Sequence, residues 1–260
     1  MLLPRILTAI VGIPLLLFLI QWGGLAFAAF VAGIAALSLY EYGMILAIGE
    51  KPVQRVVTLV TGTALAACAA LAGPLGLVAA ASVTLVLLRE MASSERSIER
   101  AALTLFGAFV LGWMPAHLAL LRELRPHGAT LTLMLFVSIW VMDTAAYAAG
   151  KTFGRHKLAP ELSPKKTWEG FIAGFIAAVA VVIGFRLWRP EIASLPRALA
   201  VGMLIGVAGQ LSDLAESMIK RAVGVKDSGA LLPGHGGVMD RFDSFIFGAP
   251  AVYYCMVALA

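Results

Sequence analysis

The sequence predicts an all-α fold, a polytopic transmembrane helix bundle of about nine spans. Of its 260 residues, 60% are hydrophobic and only 13% are charged, whereas soluble domains are about half apolar and a quarter charged. Apolar runs of roughly 14 to 20 residues alternate with short polar segments, the length that a membrane-crossing helix needs. Because a helix pairs its own backbone groups in lipid, these runs are interpreted as transmembrane helices.

The predicted spans follow one another without a long linker or an internal repeat, so a single domain is the simplest organisation. They lie near residues 6–22, 25–40, 56–71, 75–88, 102–121, 131–149, 171–187, 199–211 with a polar extension to 220, and 242–259. The third and fourth are short and separated only by Gly73 and Pro74, so a re-entrant hairpin is an alternative for this pair. Within the domain, residues 1–130 are predicted to form a lipid-facing scaffold and residues 131–260 to carry catalysis.

The basic residues predict the orientation of the chain. With the N-terminus inside, 15 Lys and Arg residues fall in cytoplasmic segments and 5 outside; treating residues 56–88 as a single span would make this 8 and 12. The positive-inside rule selects the first arrangement. The expected location is the inner membrane of a bacterium, with the loops at 150–168 and 217–241 on the cytoplasmic side.

Two classes of chemistry are disfavoured by residue distribution. The net charge of +5 is spread over many short loops rather than gathered in one basic domain, which argues against a nucleic-acid partner. Cys68 and Cys255 lie in separate apolar runs with no CxxC or CxxH spacing, so we interpret them as packing residues.

Asp143 lies near the cytoplasmic end of an apolar helix, in the run DTAAYAAGKTFGR. An ionisable group at that depth costs on the order of 2.5–3.5 kcal/mol, so it is normally paired, hydrated or functional. Tyr147 and Gly150 lie on the same helix face at i+4 and i+7. We predict that Asp143 contacts substrate; an ion pair with a lysine of another helix is the structural alternative.

A basic loop follows, KTFGRHKLAPELSPKKTW. Lys165 and Lys166 stand just before Thr167 and the start of the next span, where the N-terminal amides of a helix favour anions. We predict that both lysines bind phosphate. The alternative is that they only orient the protein in its membrane.

Two later helices carry acidic faces. Asp213, Glu216, Ser217 and Lys220 occupy i, i+3, i+4 and i+7 of one helix. On the last helix the corresponding set is Asp240, Asp243 and Ser244, with Arg241 beside them. Carboxylates and hydroxyls are the oxygen ligands that Mg²⁺ takes, commonly together with substrate phosphate.

A glycine-rich segment, AVGVKDSGALLPGHGG, separates the two acidic faces. Its glycines allow close backbone approach, so its N–H groups are predicted to wrap around an anion. Lys226 and His235 would add charge or hydrogen bonds to the same anion.

The run from Ser217 to Asp243, SMIKRAVGVKDSGALLPGHGGVMDRFD, resembles the signature of the phosphatidate cytidylyltransferases. The runs DTAAYAAGKTFGR and SPKKTWEG are similar to two upstream blocks of that family. The resemblance implies Mg²⁺-dependent transfer of CMP from CTP to phosphatidic acid within a lipid bilayer, by an enzyme that is a possible homodimer.

The resemblance also implies roles for individual residues. It implies metal ligands at Asp213 and Asp240, and further at Glu216 and Asp243. With these ligands, Lys220, Arg221, Lys226 and His235 would face nucleotide or lipid phosphates. From the residues and the resemblance together, we predict catalytic roles for Asp213, Lys220, Asp240 and Asp243. We predict substrate binding at Asp143, Lys165, Lys166, Ser217, Arg221, Lys226, His235 and Arg241.

Other functional classes are compatible with an apolar helical chain. An ion-coupled transporter also has buried acids, but such carriers usually show internal repeats, which this sequence lacks. The CDP-alcohol phosphotransferases carry a DGxxAR motif that has no match here. A related CTP-dependent enzyme acting on another lipid phosphate is the nearest alternative.

Overall fold

The computed structural model describes residues 3–231 and 236–258, with side chains from residue 10 onward. Its helices are α1 (Leu3–Trp22), α2 (Gly24–Ile48), α3 (Arg55–Ala70), α4 (Leu75–Met91), α5 (Ile98–Gly107), α6 (Met114–Glu123), α7 (Gly128–Phe153), α8 (Trp168–Trp188), α9 (Leu195–Ala222) and α10 (Met239–Ala258). A π-helical turn at Ala108–Trp113 joins α5 to α6, and a 3₁₀ turn at Pro190–Ile192 precedes α9. Two short strands, β1 (Lys157–Ala159) and β2 (Ser163–Thr167), lie between α7 and α8.

The predicted all-α class is confirmed, and each predicted span coincides with a helical stretch of the described residues. Within residues 3–231 and 236–258, five stretches are long and apolar enough to cross a membrane: Gly24–Ile48, Ile98–Glu123, Gly128–Phe153, Trp168–Trp188 and Leu195–Ala222. Helices α3 and α4 have 16 and 17 residues. At about 1.5 Å per residue they are shorter than a hydrocarbon core of about 30 Å, and the choice between two spans and a hairpin stays a prediction.

The chain forms two compact units. The first comprises Met1–Leu120 with Ile219–Phe242, and the second comprises Leu121–Met218 with Asp243–Ala260. Each unit is therefore built from two stretches that are separate in the sequence. The division at residue 130 into scaffold and catalytic halves stays a sequence-based prediction.

Small residues let helices approach closely in the core of the first unit. Ala35, Ala66 and Ala116 are fully buried there. A Cβ atom at Gly112, in the π-helical turn, would overlap the carbonyl oxygen of Gly62 in α3. Backbone therefore packs directly on backbone, as is common where lipid supplies no hydrophobic drive for helix association.

A buried carboxylate joins the ends of α3, α4 and α5 in the first unit. Glu90 is 7% exposed and accepts hydrogen bonds from Arg100 Nη2 at 2.6 Å, Gln54 Nε2 at 2.8 Å and the backbone N–H of Ser97 at 2.6 Å. The Arg100 guanidinium is the main reason that the pKa of Glu90 falls from an ordinary 4.5 to about 2. This network lies beyond the predicted end of the fourth span.

In the second unit, a β-hairpin that the sequence did not predict connects α7 to α8. Strands β1 and β2 pair antiparallel, with Lys157 opposite Thr167 and Ala159 opposite Ser163. Thr167 is also the N-cap of α8, where its Oγ1 atom accepts the N–H of Gly170 at 3.2 Å. The second strand of the hairpin therefore leads directly into the start of α8.

Candidate active site

A cavity of about 540 Å³ opens in the second unit between α7, the hairpin, the start of α8 and α9. Its charged lining residues are Lys151, Lys157, Lys165, Lys166, Asp143 and Asp213. Four lysines against two carboxylates give the lining an excess of positive charge, which is compatible with an anion.

Asp143 reaches the cavity from α7 together with Tyr147 and Gly150. The spacing i, i+4 and i+7 placed these three on one helix face, and the structure brings all three to the same cavity. Tyr147 is 70% exposed, so its phenol is available to a ligand. The structure therefore places Asp143 beside the basic residues of the hairpin.

Lys165 and Lys166 behave differently although they are neighbours in β2. Side chains alternate between the two faces of a strand, and Lys165 is exposed whereas Lys166 is half-buried. The Nζ atom of Lys166 lies 2.6 Å from Oδ2 of Asp213 and 3.4 Å from the carbonyl oxygen of Gln210. One of the two predicted phosphate ligands is thus paired with a carboxylate of α9.

Asp213 also belongs to an acidic cluster with Glu216 and Asp243, and ligand oxygens of the three lie within 4.8 Å of one another. Glu216 is 1% exposed. The hydroxyl of Ser212 donates to the Asp243 carbonyl and accepts the N–H of Phe247, which holds α9 against α10 at this point. Three converging carboxylates are a hard-oxygen donor set that fits a divalent cation such as Mg²⁺.

Asp240, in the first unit, has a dense set of partners. Its Oδ1 atom lies 2.7 Å from Lys220 Nζ, and its Oδ2 atom accepts the N–H groups of Ser228 and Gly237, both at 3.0 Å. The carboxylate is thereby paired with one predicted phosphate-binding lysine and with both described flanks of the glycine-rich segment. Its predicted role as a metal ligand stays a prediction.

The sequence reasoning missed Glu41 of α2, which is 2% exposed. Its carboxylate accepts the N–H of Val238 at 2.8 Å, the N–H of Met239 at 2.9 Å and the hydroxyl of Ser228 at 2.9 Å. The glycine-rich segment was predicted to wrap its N–H groups around an anion. In its described part, the N–H groups of Ser228 and Gly237 donate to Asp240, whereas Glu41 accepts the Ser228 hydroxyl and the two N–H groups that follow the segment.

The available signal for Glu41 was a lone acid at the end of an apolar run, in LSLYEYGMIL. The predicted second span ended at Tyr40, one residue earlier, so the acid was assigned to a loop. Helix α2 continues to Ile48, which places Glu41 inside it.

The other predicted site residues occupy more varied positions. Ser217 is buried on α9, and the Arg221 guanidinium donates to the carbonyl of Val225 at 2.9 Å. Lys226 and Arg241 are exposed. His235 lies outside the described residues.

The described residues form apolar helices of membrane-crossing length, a lysine-lined cavity and a carboxylate cluster compatible with a divalent metal. These are features of a polytopic membrane protein. The chain belongs to the cytidylyltransferase family, which it matches over residues 3–259. It is therefore a nucleotidyltransferase.

Several relatives are similar over most of the chain. A phosphatidate cytidylyltransferase of Brucella suis is 36% identical over 255 residues, covering 96% of this chain and 91% of the relative. One of Synechocystis is 35% identical over 287 residues, covering 98% and 96%. A third, of Bacillus subtilis, is 44% identical over 140 residues, covering 52% and 51%.

Proposed function

We propose that the protein is a phosphatidate cytidylyltransferase, which converts CTP and phosphatidic acid into CDP-diacylglycerol and pyrophosphate during phospholipid biosynthesis. The observation that carries the proposal is that Asp213 belongs both to the lysine-lined cavity and to the three-carboxylate cluster. The names of the similar proteins support the same reaction.

The chemistry needs little acid-base assistance from the protein. A phosphate monoester has a second pKa near 6, so phosphatidic acid is largely dianionic at neutral pH. One of its phosphate oxygens attacks the α-phosphorus of CTP and forms the new P–O–P link. The bond between the α-phosphorus and the oxygen that bridges it to the β-phosphate breaks, and pyrophosphate leaves with that electron pair. The main obstacle is the repulsion between two anions, which fixed positive charges reduce.

We assign the metal site to Asp213, Glu216 and Asp243, with Mg²⁺ as the ion. Asp240 is a metal ligand by the sequence resemblance alone, since its carboxylate is bound by Lys220 and two backbone N–H groups. When bound, Mg²⁺ supplies positive charge to phosphate oxygens and orients them for in-line displacement. The carboxylates bind oxygen-seeking cations and offer no soft donor, which favours Mg²⁺ over thiolate-seeking metals.

The lysines of the cavity would bind the phosphate groups. Lys165 and Lys166 at the start of α8 lie beside Lys151 and Lys157, and Asp143 with Tyr147 would orient the bound group from α7. The sequence resemblance and the charge of these side chains support further substrate-binding roles, which we propose for Lys220, Arg221, Lys226, His235, Arg241 and Ser217.

The proposed location is the bacterial inner membrane, with the reaction on the cytoplasmic side and a homodimer as the proposed assembly. The charge count of 15 to 5 supports this orientation. It gives soluble CTP access from the cytosol, whereas phosphatidic acid arrives from the inner leaflet.

The test is an incubation of the purified protein with phosphatidic acid, Mg²⁺ and each labelled nucleoside triphosphate. We expect CDP-diacylglycerol and pyrophosphate from CTP, and no product in a parallel reaction without protein. Turnover only with a different lipid phosphate would identify the protein as a related CTP-dependent enzyme that acts on that lipid. The absence of any CDP-lipid from folded wild-type protein would contradict the enzyme and favour a transporter.

A further inference from the structure

The residue that precedes helix α10 is a valine, which has no polar side chain. Val238 precedes Met239, the first residue of the helix, and its carbonyl accepts the N–H of Phe242 at 3.2 Å. Valine is among the poorest N-cap residues, because its side chain has no acceptor for a backbone N–H at the start of a helix. A side-chain acceptor for the start of α10 must therefore come from another part of the chain.

Glu41 of α2 provides this acceptor. Its Oε1 atom accepts the N–H of Val238, and its Oε2 atom accepts the N–H of Met239. A carboxylate at the start of a helix is also stabilised by the positive end of the helix dipole. These contacts offset the cost of burying an acidic side chain that is only 2% exposed.

The same carboxylate reaches the other flank of the glycine-rich segment. Oε2 of Glu41 also accepts the hydroxyl of Ser228, while the N–H of Ser228 donates to Asp240. Asp240 in turn accepts Gly237 N–H and pairs with Lys220. Two carboxylates thus hold residues 228 and 237–239 together, and one of the two holds a lysine of the proposed substrate-binding set.

The fit around Glu41 leaves no room for side chains at two glycines. A Cβ atom at Gly229 would lie 2.9 Å from Oε1 of Glu41, and one at Gly237 would lie 2.5 Å from Oε2. Both distances are below ordinary van der Waals contact, so the backbone of both flanks packs directly against the carboxylate. The enclosed carboxylate of Glu41 explains why both positions are occupied by glycine.

We propose that Glu41 is a positioning residue for the reaction. Its carboxylate is enclosed by the protein, so it acts through the segment that it holds, which carries Lys226, and through the Asp240 and Lys220 pair. For its effect on turnover, the proposal rests on the function proposed above. Its effect on the segment itself is independent of that function.

The decisive variant is Glu41→Gln, which keeps the size of the side chain. Because each carboxylate oxygen accepts a backbone N–H, the amide NH₂ of glutamine must face one of these donors in either orientation. If Glu41 acts by packing alone, the Glu41→Gln variant should keep the wild-type kcat and the wild-type position of the segment. A role through hydrogen bonds predicts a displaced segment and a fall in kcat on the order of a hundredfold, as for small misplacements of catalytic groups.

Glu90→Gln is a matched control in the same unit. Glu90 is also buried and also accepts several hydrogen bonds, but its partners are Gln54, Ser97 and Arg100 rather than the glycine-rich segment. We expect Glu90→Gln to lower the thermal midpoint while kcat per folded molecule stays at the wild-type value.

Limited trypsin digestion gives a local readout that does not depend on activity. Lys226 is exposed and lies next to the anchored stretch, so cleavage after it should accelerate several-fold in Glu41→Gln and stay unchanged in Glu90→Gln. Wild-type kcat together with wild-type cleavage in Glu41→Gln would overturn the proposal. So would a loss of folded protein alone, parallel to that of Glu90→Gln. If wild type made no CDP-lipid, the proposed function would fail, and the cleavage comparison would still decide whether Glu41 holds the segment.

Discussion

The ammonium of Lys166 lies 2.6 Å from Oδ2 of Asp213, with the two side chains 23% and 33% exposed. Asp213 is at the same time one of three carboxylates whose oxygens converge within 4.8 Å. The lysine therefore offsets part of the negative charge of the acidic cluster and lines the cavity in which a phosphate would bind. It stands where the proposed metal and phosphate sites meet.

Replacing Lys166 with arginine should impair turnover. The planar guanidinium is broader than an ammonium and cannot occupy the same close contact with Asp213 and the Gln210 carbonyl. We expect kcat/KM for CTP to fall at least about tenfold, or ~1.4 kcal/mol in the barrier. Lys165→Arg should have a smaller effect because Lys165 is exposed.

Lys51→Arg serves as the control for these two variants, since Lys51 forms only an exposed pair with Glu99 at 3.4 Å. It should keep wild-type kinetics. Membrane orientation should be normal in all three variants, because arginine keeps the charge that insertion follows. Wild-type kcat and KM in both hairpin variants would reduce this loop to an orienting role.

Activity should require a divalent cation, disappear with EDTA and return with Mg²⁺. Asp213→Asn removes a charge from the proposed ligand set, so we expect kcat to fall at least about a hundredfold and half-saturation to shift to higher Mg²⁺. Glu99→Gln is an exposed control that should leave both values unchanged. Full turnover of wild type in metal-free buffer would remove the metal from the mechanism.

Asp240→Asn should also lower kcat at least about a hundredfold, since it breaks the pair with Lys220 and weakens the hold on both flanks of the segment. Because the carboxylate is already bound by an ammonium and two N–H groups, we expect its Mg²⁺ titration to match wild type. An increased Mg²⁺ requirement would instead identify Asp240 as a ligand.

Cysteine labelling tests the orientation. In a variant with Cys68 and Cys255 replaced by alanine, single cysteines at the exposed positions Lys157, Lys226 and Arg125 are treated with a membrane-impermeant maleimide. We expect Lys157→Cys and Lys226→Cys to react from the cytoplasmic side and Arg125→Cys from the outside. Outside labelling at 157 or 226 would contradict a cytosolic CTP site.

The Glu90 network should make stability depend on pH in one direction. Since Arg100 holds the pKa of Glu90 at about 2 rather than 4.5, the folded state gains stability above the ordinary value and loses it as pH falls towards about 2. The difference in thermal midpoint between wild type and Glu90→Gln should be largest near neutral pH and shrink below about pH 4.5. A difference that stays constant from pH 7 to pH 3 would contradict a charged Glu90.

Local periodicity was the part of the site that the sequence predicted well. Asp143, Tyr147 and Gly150 reach one cavity because helix geometry alone puts i, i+4 and i+7 on one face. The hairpin at 157–167 was missed because strands of three and five residues, rich in lysine and containing Pro164, lack apolar alternation.

Glu41 was missed for a different reason. Ser228 lies 187 residues further along the chain, and no spacing rule connects the two residues. The glycine pattern predicted N–H groups around an anion, and the structure shows those of Ser228 and Gly237 donating to Asp240. The pattern does not distinguish an internal carboxylate from a ligand phosphate, because both require the same arrangement of backbone N–H groups.

Gly237 affects how mutational scans of this protein are interpreted. An alanine there would collide with Glu41 and with the hydroxyl of Ser228, so its loss of activity would mimic the removal of a ligand contact. An alanine scan of residues 217–243 would then assign nucleotide-binding roles to glycines that only make room for Glu41 of α2. Trypsin cleavage after Lys226 separates the two causes, since a steric conflict displaces the segment and a lost ligand contact does not.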